Sequence, residues 1–288
     1  MKQTGQIVRS YGRRFIVESG DRTYDCTSRG KRVDYACGDR VDITVLNDKQ
    51  AVIEGQQPRH SLLYRQDDWR TKLIAANVTR IFFVTAAVPS PSEELLNRCL
   101  LAAEAADIDP VIVVNKSDLP ETAAWLEKLQ PYQQLGYKLV TISAKQGADA
   151  LRPLLQGQTS VLVGQSGMGK STITNALLPD AAARVGEIST ALDAGRHTTT
   201  HAALYHLDAD SQLIDSPGLQ EFGLSHIGAT ELAGLFPEMR GYIGHCRFHN
   251  CTHRQEPDCA IKQASKDGHI RPMRLELLQK LTNRAMNA

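Results

Sequence analysis

The sequence predicts a multidomain protein. An N-terminal β-barrel of OB-fold type precedes a central α/β domain built on a phosphate-binding loop, and a mostly helical, metal-binding segment closes the chain. Three observations carry this prediction. Residues 1–58 fall into short alternating segments punctuated by Gly, Asn and Asp. From residue 81 onward, strand-like runs alternate with helix-like runs, the pattern of a parallel sheet covered by helices. After about residue 235 that alternation gives way to a Cys/His cluster and a terminal helix. The expected domains are 1–58, 59–235 and 236–288.

A chain of 288 residues can bury two or three cores. No run approaches about 18 consecutive apolar residues, so no membrane partner is expected. The first ten residues, MKQTGQIVRS, lack the apolar stretch of a signal peptide. Six cysteines without a secretory context point to reduced thiols or metal ligands, and to a cytoplasmic protein. The net charge of +1 is unevenly spread: residues 240–288 hold nine Lys and Arg against four Asp and Glu. That segment suits an acidic partner such as RNA, or is an ordinary solvated tail.

In the first domain, QIVRSYGRRFIVES, RTYDCTSRGKR, RVDITVLN and QAVIEGQ read as about five strands. Arg9, Arg13, Arg14, Arg29, Lys31 and Arg32, interleaved with Tyr11, Phe15 and Tyr35, form either a basic stacking face for RNA or ordinary surface and core. Residues 59–80 read as a connector.

The second domain continues with strand IFFVTAA and helix SEELLNRCLLAAEAAD. Strand PVIVVNKSD is followed by helix TAAWLEKLQPYQQLG, and YKLVTISAK by ADALRPLLQG. TSVLVGQSGMGKS enters the helix TITNALL, and two further strands, ALYHLD and SQLIDSPG, complete the set.

GQSGMGKS, residues 164–171, fits G-x-x-x-x-G-K-[ST] between a strand and a helix, the context that motif requires. Gly164, Gln165, Ser166, Gly167, Met168 and Gly169 form a loop whose backbone N–H groups can wrap phosphates. Lys170 supplies a cation for the β/γ-phosphates, Ser171 a hydroxyl for Mg²⁺, and Thr172 continues into the helix. The loop alone leaves ATP and GTP both open. DSPG places Asp215 at a strand end, suited to Mg²⁺ directly or through water, and Gly218 where its N–H can meet a γ-phosphate.

The base is chosen by NKSD, residues 115–118. A carboxylate at Asp118 can accept from guanine N1–H and N2–H₂ together, which adenine cannot offer. Asn115 can bridge to the phosphate loop, the stem of Lys116 can cover a ring face, and Ser117 completes the turn. Ser143, Ala144 and Lys145 follow a strand and can offer a backbone N–H to guanine O6. The pieces occur in the order NKSD, SAK, GQSGMGKS, DSPG, whereas ordinary small GTPases place the last two first. The domain is therefore expected to be circularly permuted, which proximity of domain termini makes tolerable. RHTTT and DSPGLQEFG then lie directly before the C-terminal domain, where a switch movement could pull on it.

Cys246, Cys251, His253 and Cys259 give C-x4-C-x-H-x5-C. Three thiolates and one imidazole make a closed, structural Zn²⁺ site. His245 and His249 are not expected to be ligands, and Cys26, Cys37 and Cys99 read as small core residues.

Taken together, the barrel, the permuted motif order, GRHTTT, CRFHNCTH and EPDCA resemble the ribosome small-subunit-dependent GTPases (RsgA/YjeQ). The resemblance covers nearly the whole chain. It implies an OB domain, a permuted GTPase domain and a zinc domain. It also implies action in late maturation of the 30S subunit through 16S rRNA, with GTP hydrolysed to GDP and phosphate under stimulation by that subunit. A monomer is expected. Two rival readings are an RNA-binding module for which GTP is a structural ligand, and a GTPase of metal delivery.

The catalyst is less plain. In Ras-type enzymes a glutamine directly after the D-x-x-G glycine orients the attacking water. Here that position is Leu219, with Gln220 one residue further along. His197, in RHTTT, is the candidate for orienting the water, with the ribosome as the alternative source of the group. Thr199 or Thr200 is expected to ligate Mg²⁺, with Thr200 the preferred ligand.

Overall fold

The computed structural model describes residues 2–30, 34–67, 70–178, 202–215, 222, 224 and 226–286. His197, Thr199, Thr200 and Gly218 lie outside these residues, as do Leu219 and Gln220.

The barrel is built from β1 (Lys2–Tyr11), β2 (Arg14–Ser19), β3 (Arg22–Ser28), β4 (Arg40–Val45) and β5 (Gln50–Gln56). The strands pair in the order β1-β2-β3-β5-β4 and close through β1–β4. All pairs are antiparallel except β3–β5. Alternation explains the inside. Ile7, Phe15, Val17, Tyr24, Val41, Ile43 and Ile53 point inward and are almost wholly buried, each contributing about 1.5–3 kcal/mol by area. Phe15 and Tyr35 pack edge to face with centroids 5.5 Å apart. Both belong to the core, so of the two sequence readings the core one holds for them. Arg14 pairs with Asp25, and Arg29 pairs with Glu54 at 2.5 Å.

The stretch read as a connector contains a hairpin, β6 (Leu62–Asp67) and β7 (Arg70–Ala76). Its alternation is imperfect because the register shifts between Leu63 and Tyr64, which hides the strand pattern in the sequence. Arg59 ties this region to the barrel with two bonds of 2.6 Å to the fully buried Asp39.

The central sheet runs β10 (Lys138–Thr141), β9 (Asp109–Val114), β8 (Arg80–Thr85), β11 (Thr159–Val163), β13 (Gln212–Asp215), β12 (Ala203–His206). The chain enters at β8, fills one half outward to β10, then returns to β11 beside β8 and fills the other half. That is the strand-level form of the permutation. β8, β9 and β11 are nearly continuous apolar runs with both faces covered. β12 departs from the parallel expectation. A tight turn held by Leu207 N–H to Ser211 O makes it antiparallel to β13.

Helices α1 (Glu93–Ala105), α2 (Thr122–Gln134), α3 (Arg152–Leu155) and α4 (Lys170–Leu177) flank this sheet. Ser92 caps α1 by accepting from the Leu95 N–H, and Glu93 and Glu94 complement the helix dipole. In the last part of the chain, α5 (Ala260–Lys266) and α6 (Pro272–Met286) pack on the α1 side of the sheet within one continuous core. Cys26, Cys37 and Cys99 are fully buried, as small core residues should be. No described helix is long and apolar enough to cross a membrane.

The sheet does not stop at the domain's edge. β1 pairs with β12 through Arg9 and Ala203, joining barrel and central sheet into eleven strands. Gln6 and Gln212 exchange side-chain bonds of 3.1 and 3.0 Å at the seam, and His206 Nε2 lies 2.7 Å from Glu18.

Candidate nucleotide site and metal centre

The sequence motifs converge at the carboxyl ends of β8, β9, β10, β11 and β13, where open α/β sheets bind ligands. The loop after β11 takes its shape from glycine. Gly164 has φ 140°, and a Cβ there would strike the Val84 carbonyl. Gly169 has φ 96°, and a Cβ there would strike the Asn115 amide. Both positions exclude any side chain.

Asn115 is the organiser. It is 2% exposed, its Nδ2 donates to Met168 O at 2.9 Å, and its Oδ1 accepts from the Ala144 N–H at 2.9 Å. One amide thus fixes the phosphate loop to the loop after β10. Lys116, at φ 60°, sends its Nζ to Val88 O at 2.8 Å and Gly167 O at 2.7 Å. Its stem lies along the phosphate loop as a result. Gln165 accepts from the Ser92 N–H at 2.7 Å, which joins the phosphate loop to the cap of α1.

Asp118 is exposed, and Ser143 Oγ donates to its Oδ1 at 2.6 Å. That bond holds the carboxyl below the usual carboxylate range. Ser117 and Lys145 are exposed beside it, and the Ser117 N–H bonds to Ile142 O. The result is an exposed, ionised acceptor fixed through Oδ1, suited to a base edge carrying two donors.

At the phosphate end, Lys170 Nζ donates to Gly164 O and Gln165 O, each at 2.7 Å. Burial pulls this ammonium below its ordinary value, while the charge of Asp215 works the other way. Burial pushes Asp215 up, and Lys170 opposes it. A half-buried cation and a half-buried carboxylate with such opposed shifts suit a site for a polyanion and a divalent ion. Ser166, Ser171 and Thr172 are exposed at the loop and first turn of α4, and Met168 is buried beneath it.

The second centre gathers Cys246, Cys251, His253 and Cys259, whose ligand atoms all lie within 4.8 Å of one another. Cys246 Sγ is 3.6 Å from His253 Nδ1 and 3.8 Å from Cys259 Sγ, and His253 Nδ1 is 3.4 Å from Cys259 Sγ. Bonds of about 2.3 Å to sulfur and about 2.0 Å to nitrogen give tetrahedral edges of about 3.5–3.8 Å, so the set fits a four-coordinate ion. Burial pushes the Cys251 thiol up to about 12 and raises Cys259, so without a cation both stay protonated. Burial lowers His253, which keeps its imidazole neutral and able to ligate. His245 and His249 lie outside the cluster.

Glu256, missed in the sequence, shapes the metal loop. It accepts from the backbone N–H groups of Thr252, Arg254 and Gln255 and from Thr252 Oγ1. Burial opposes its ionisation, but these donors outweigh it and bring the carboxyl down to about 2. A carboxylate three residues from two ligands was its visible signal.

Comparison with known proteins agrees with this geometry. The RsgA GTPase family profile matches residues 56–225. A "Small ribosomal subunit biogenesis GTPase RsgA" of Neisseria meningitidis is 61% identical over 284 residues, spanning 98% of this chain and 92% of that protein. A protein of the same name from Nitrosospira multiformis is 51% identical, over 96% and 89%. The crystal structure of YjeQ from Thermotoga maritima superposes with TM-score 0.73 at 28% identity, covering all of both chains. YloQ, described as a circularly permuted GTPase, gives 0.71 at 27%, covering 100% of this chain and 96% of that one. The chain belongs to the RsgA GTPase family.

Proposed function

We propose that this protein is a GTPase that binds the small (30S) ribosomal subunit, acts in its late maturation and hydrolyses GTP to GDP and phosphate faster on that subunit. The observation that carries the proposal is Asn115, which ties the guanine-reading turn, the 143–145 loop and the phosphate loop into one site. The 61% identical relative bears the name of a small-subunit biogenesis GTPase.

In this reading Asp118 takes guanine N1–H and N2–H₂, Ala144 gives its N–H to O6, and Lys116 flanks the ring. Residues 164–172 cradle the phosphates and Lys170 neutralises them. Ser171 and Thr200 would hold Mg²⁺, with Asp215 behind them and Gly218 at the γ-phosphate; Thr199 is the alternative switch ligand. Mg²⁺ supplies charge neutralisation on the phosphates when bound. His197 orients the attacking water, because Leu219 has no group to do so. The four-ligand cluster takes one structural Zn²⁺. Residues 1–58 and 236–288 act as RNA-contacting domains around a GTPase domain of 59–235, with 16S rRNA as their target. The protein works as a cytoplasmic monomer.

The test is GTP turnover with no addition, with purified 30S and with purified 50S subunits. Stimulation by 30S alone is expected. Equal rates in all three would overturn the reading. His197→Ala should keep GTP and 30S binding and lose most of the stimulation; retained stimulation moves the water-orienting role to Gln220 or the ribosome.

A further inference from the structure

We infer that Phe248, at the tip of the metal loop, is a stacking platform for an unpaired base of an RNA strand. The inference rests on the small-subunit reading above and narrows it to one side chain.

Phe248 is a large aromatic left 41% exposed. It is not a frayed residue. It lies between Cys246 and Cys251, two members of the metal cluster, and the Cys251 N–H donates to Phe248 O at 3.2 Å. A turn stapled at both ends holds the ring outward, so little conformational entropy is lost when something covers it. Arg247 backs one face of the ring. Its guanidinium carbon is 5.6 Å from the Phe248 centroid. It is held there by Asp258, through a 3.0 Å bond to the carboxylate and a 3.3 Å bond from the Arg247 N–H to the Asp258 carbonyl.

Charge chooses the partner. Residues 239–255 contain three arginines and three histidines and no Asp or Glu. Asp258 is the carboxylate facing Arg247, and Arg240 is engaged by Glu104 at 2.6 Å. His245 and His249, on the same loop, are exposed. A flat apolar face backed by a guanidinium, on a segment of residues 239–255 without Asp or Glu, matches a polymer that alternates planar bases with phosphates. Every base offers a π-face, so such contacts tolerate sequence and are lost when the ring is removed.

The experiment measures affinity of the full-length, GTP-analogue-bound protein for purified 30S subunits. The variants are Phe248→Ala, Phe248→Leu and Phe248→Trp, with metal content as the check that the loop is intact. Planarity should set the order: Trp at least equal to wild type, Leu and Ala each weaker by about tenfold. Wild-type binding with an unaffected Phe248→Ala overturns the platform and leaves the small-subunit reading standing. Leu binding as well as Phe also overturns it, because an apolar protein contact needs bulk and not a plane. Absence of 30S binding by the wild type sinks the small-subunit reading itself.

Discussion

Arg274 of α6 donates to Asn97 of α1 at 2.7 Å, across 177 positions of sequence. The guanidinium is 1% exposed, bonds both oxygens of Glu238 at 2.6 and 2.9 Å, and sits 4.6 Å from the Phe236 centroid. The Tyr132 hydroxyl of α2 lies 2.8 Å from Glu93 and 3.1 Å from the same Asn97 oxygen, and its one proton serves these two acceptors. One buried polar network therefore joins the end of the chain to two helices of the nucleotide-binding half.

Removing Arg274 should be costly. Arg274→Ala leaves Glu238 buried without its counter-charge, and breaking a buried pair this way costs about 3–5 kcal/mol. The expected result is earlier urea unfolding and rapid proteolysis after about residue 235. A shift below about 1 kcal/mol would show that the network is solvated.

Guanine selectivity should reside in Asp118. Asp118→Asn exchanges an acceptor for a donor, so GTP binding should fall and xanthosine triphosphate binding should rise. Unchanged GTP affinity would remove the assignment.

Asp118 also sets a pH dependence. Its depressed pKa keeps the carboxylate charged at and above the ordinary aspartate value of about 3.9. Its contribution is therefore fully present there and is lost as pH falls through the lower folded value. GDP affinity should stay level from about pH 8 to pH 5. In Ser143→Ala the acid-side loss should begin at higher pH, since the largest cause of the depression is gone. Coincident curves for the two proteins would mean Ser143 does not tune the carboxyl.

Metal should be integral to the last part of the chain. Elemental analysis is expected to find one zinc per protein, and Cys251→Ala or a chelator should open residues after 240 to protease while the barrel survives. Equal protease resistance with and without metal would count against a structural centre.

The nucleotide site was legible because its chemistry is local: glycines, a lysine and a carboxylate at fixed spacing each announce a role. The metal ligands were legible for the same reason. Charge was not. Nine basic residues after 239 left an RNA-facing segment and an ordinary solvated tail both open, and Arg240, Arg247, Arg271, Arg274 and Lys280 form ion pairs within the protein. Three of those carboxylates, Glu93, Glu94 and Glu104, belong to the central domain, so these pairs serve to dock the last segment on it. Phe15 and Tyr35 stayed open in the sequence, because an aromatic beside arginines looks the same there whether it faces in or out. The β6–β7 hairpin escaped because a register shift breaks its alternation, and the antiparallel course of β12 depends on a turn that apolar periodicity does not report.

The seam between β1 and β12 has a consequence for solubility. β12 would be the open flank of the central sheet, with backbone donors and acceptors and no neighbouring strand. An open flank is a template for self-association. Arg9 against Ala203, the paired glutamines and His206 beside Glu18 occupy it from within the same chain. The barrel thus shields the flank of the sheet beside it. A version starting after residue 58 should clump along β12 even with every nucleotide-binding residue in place.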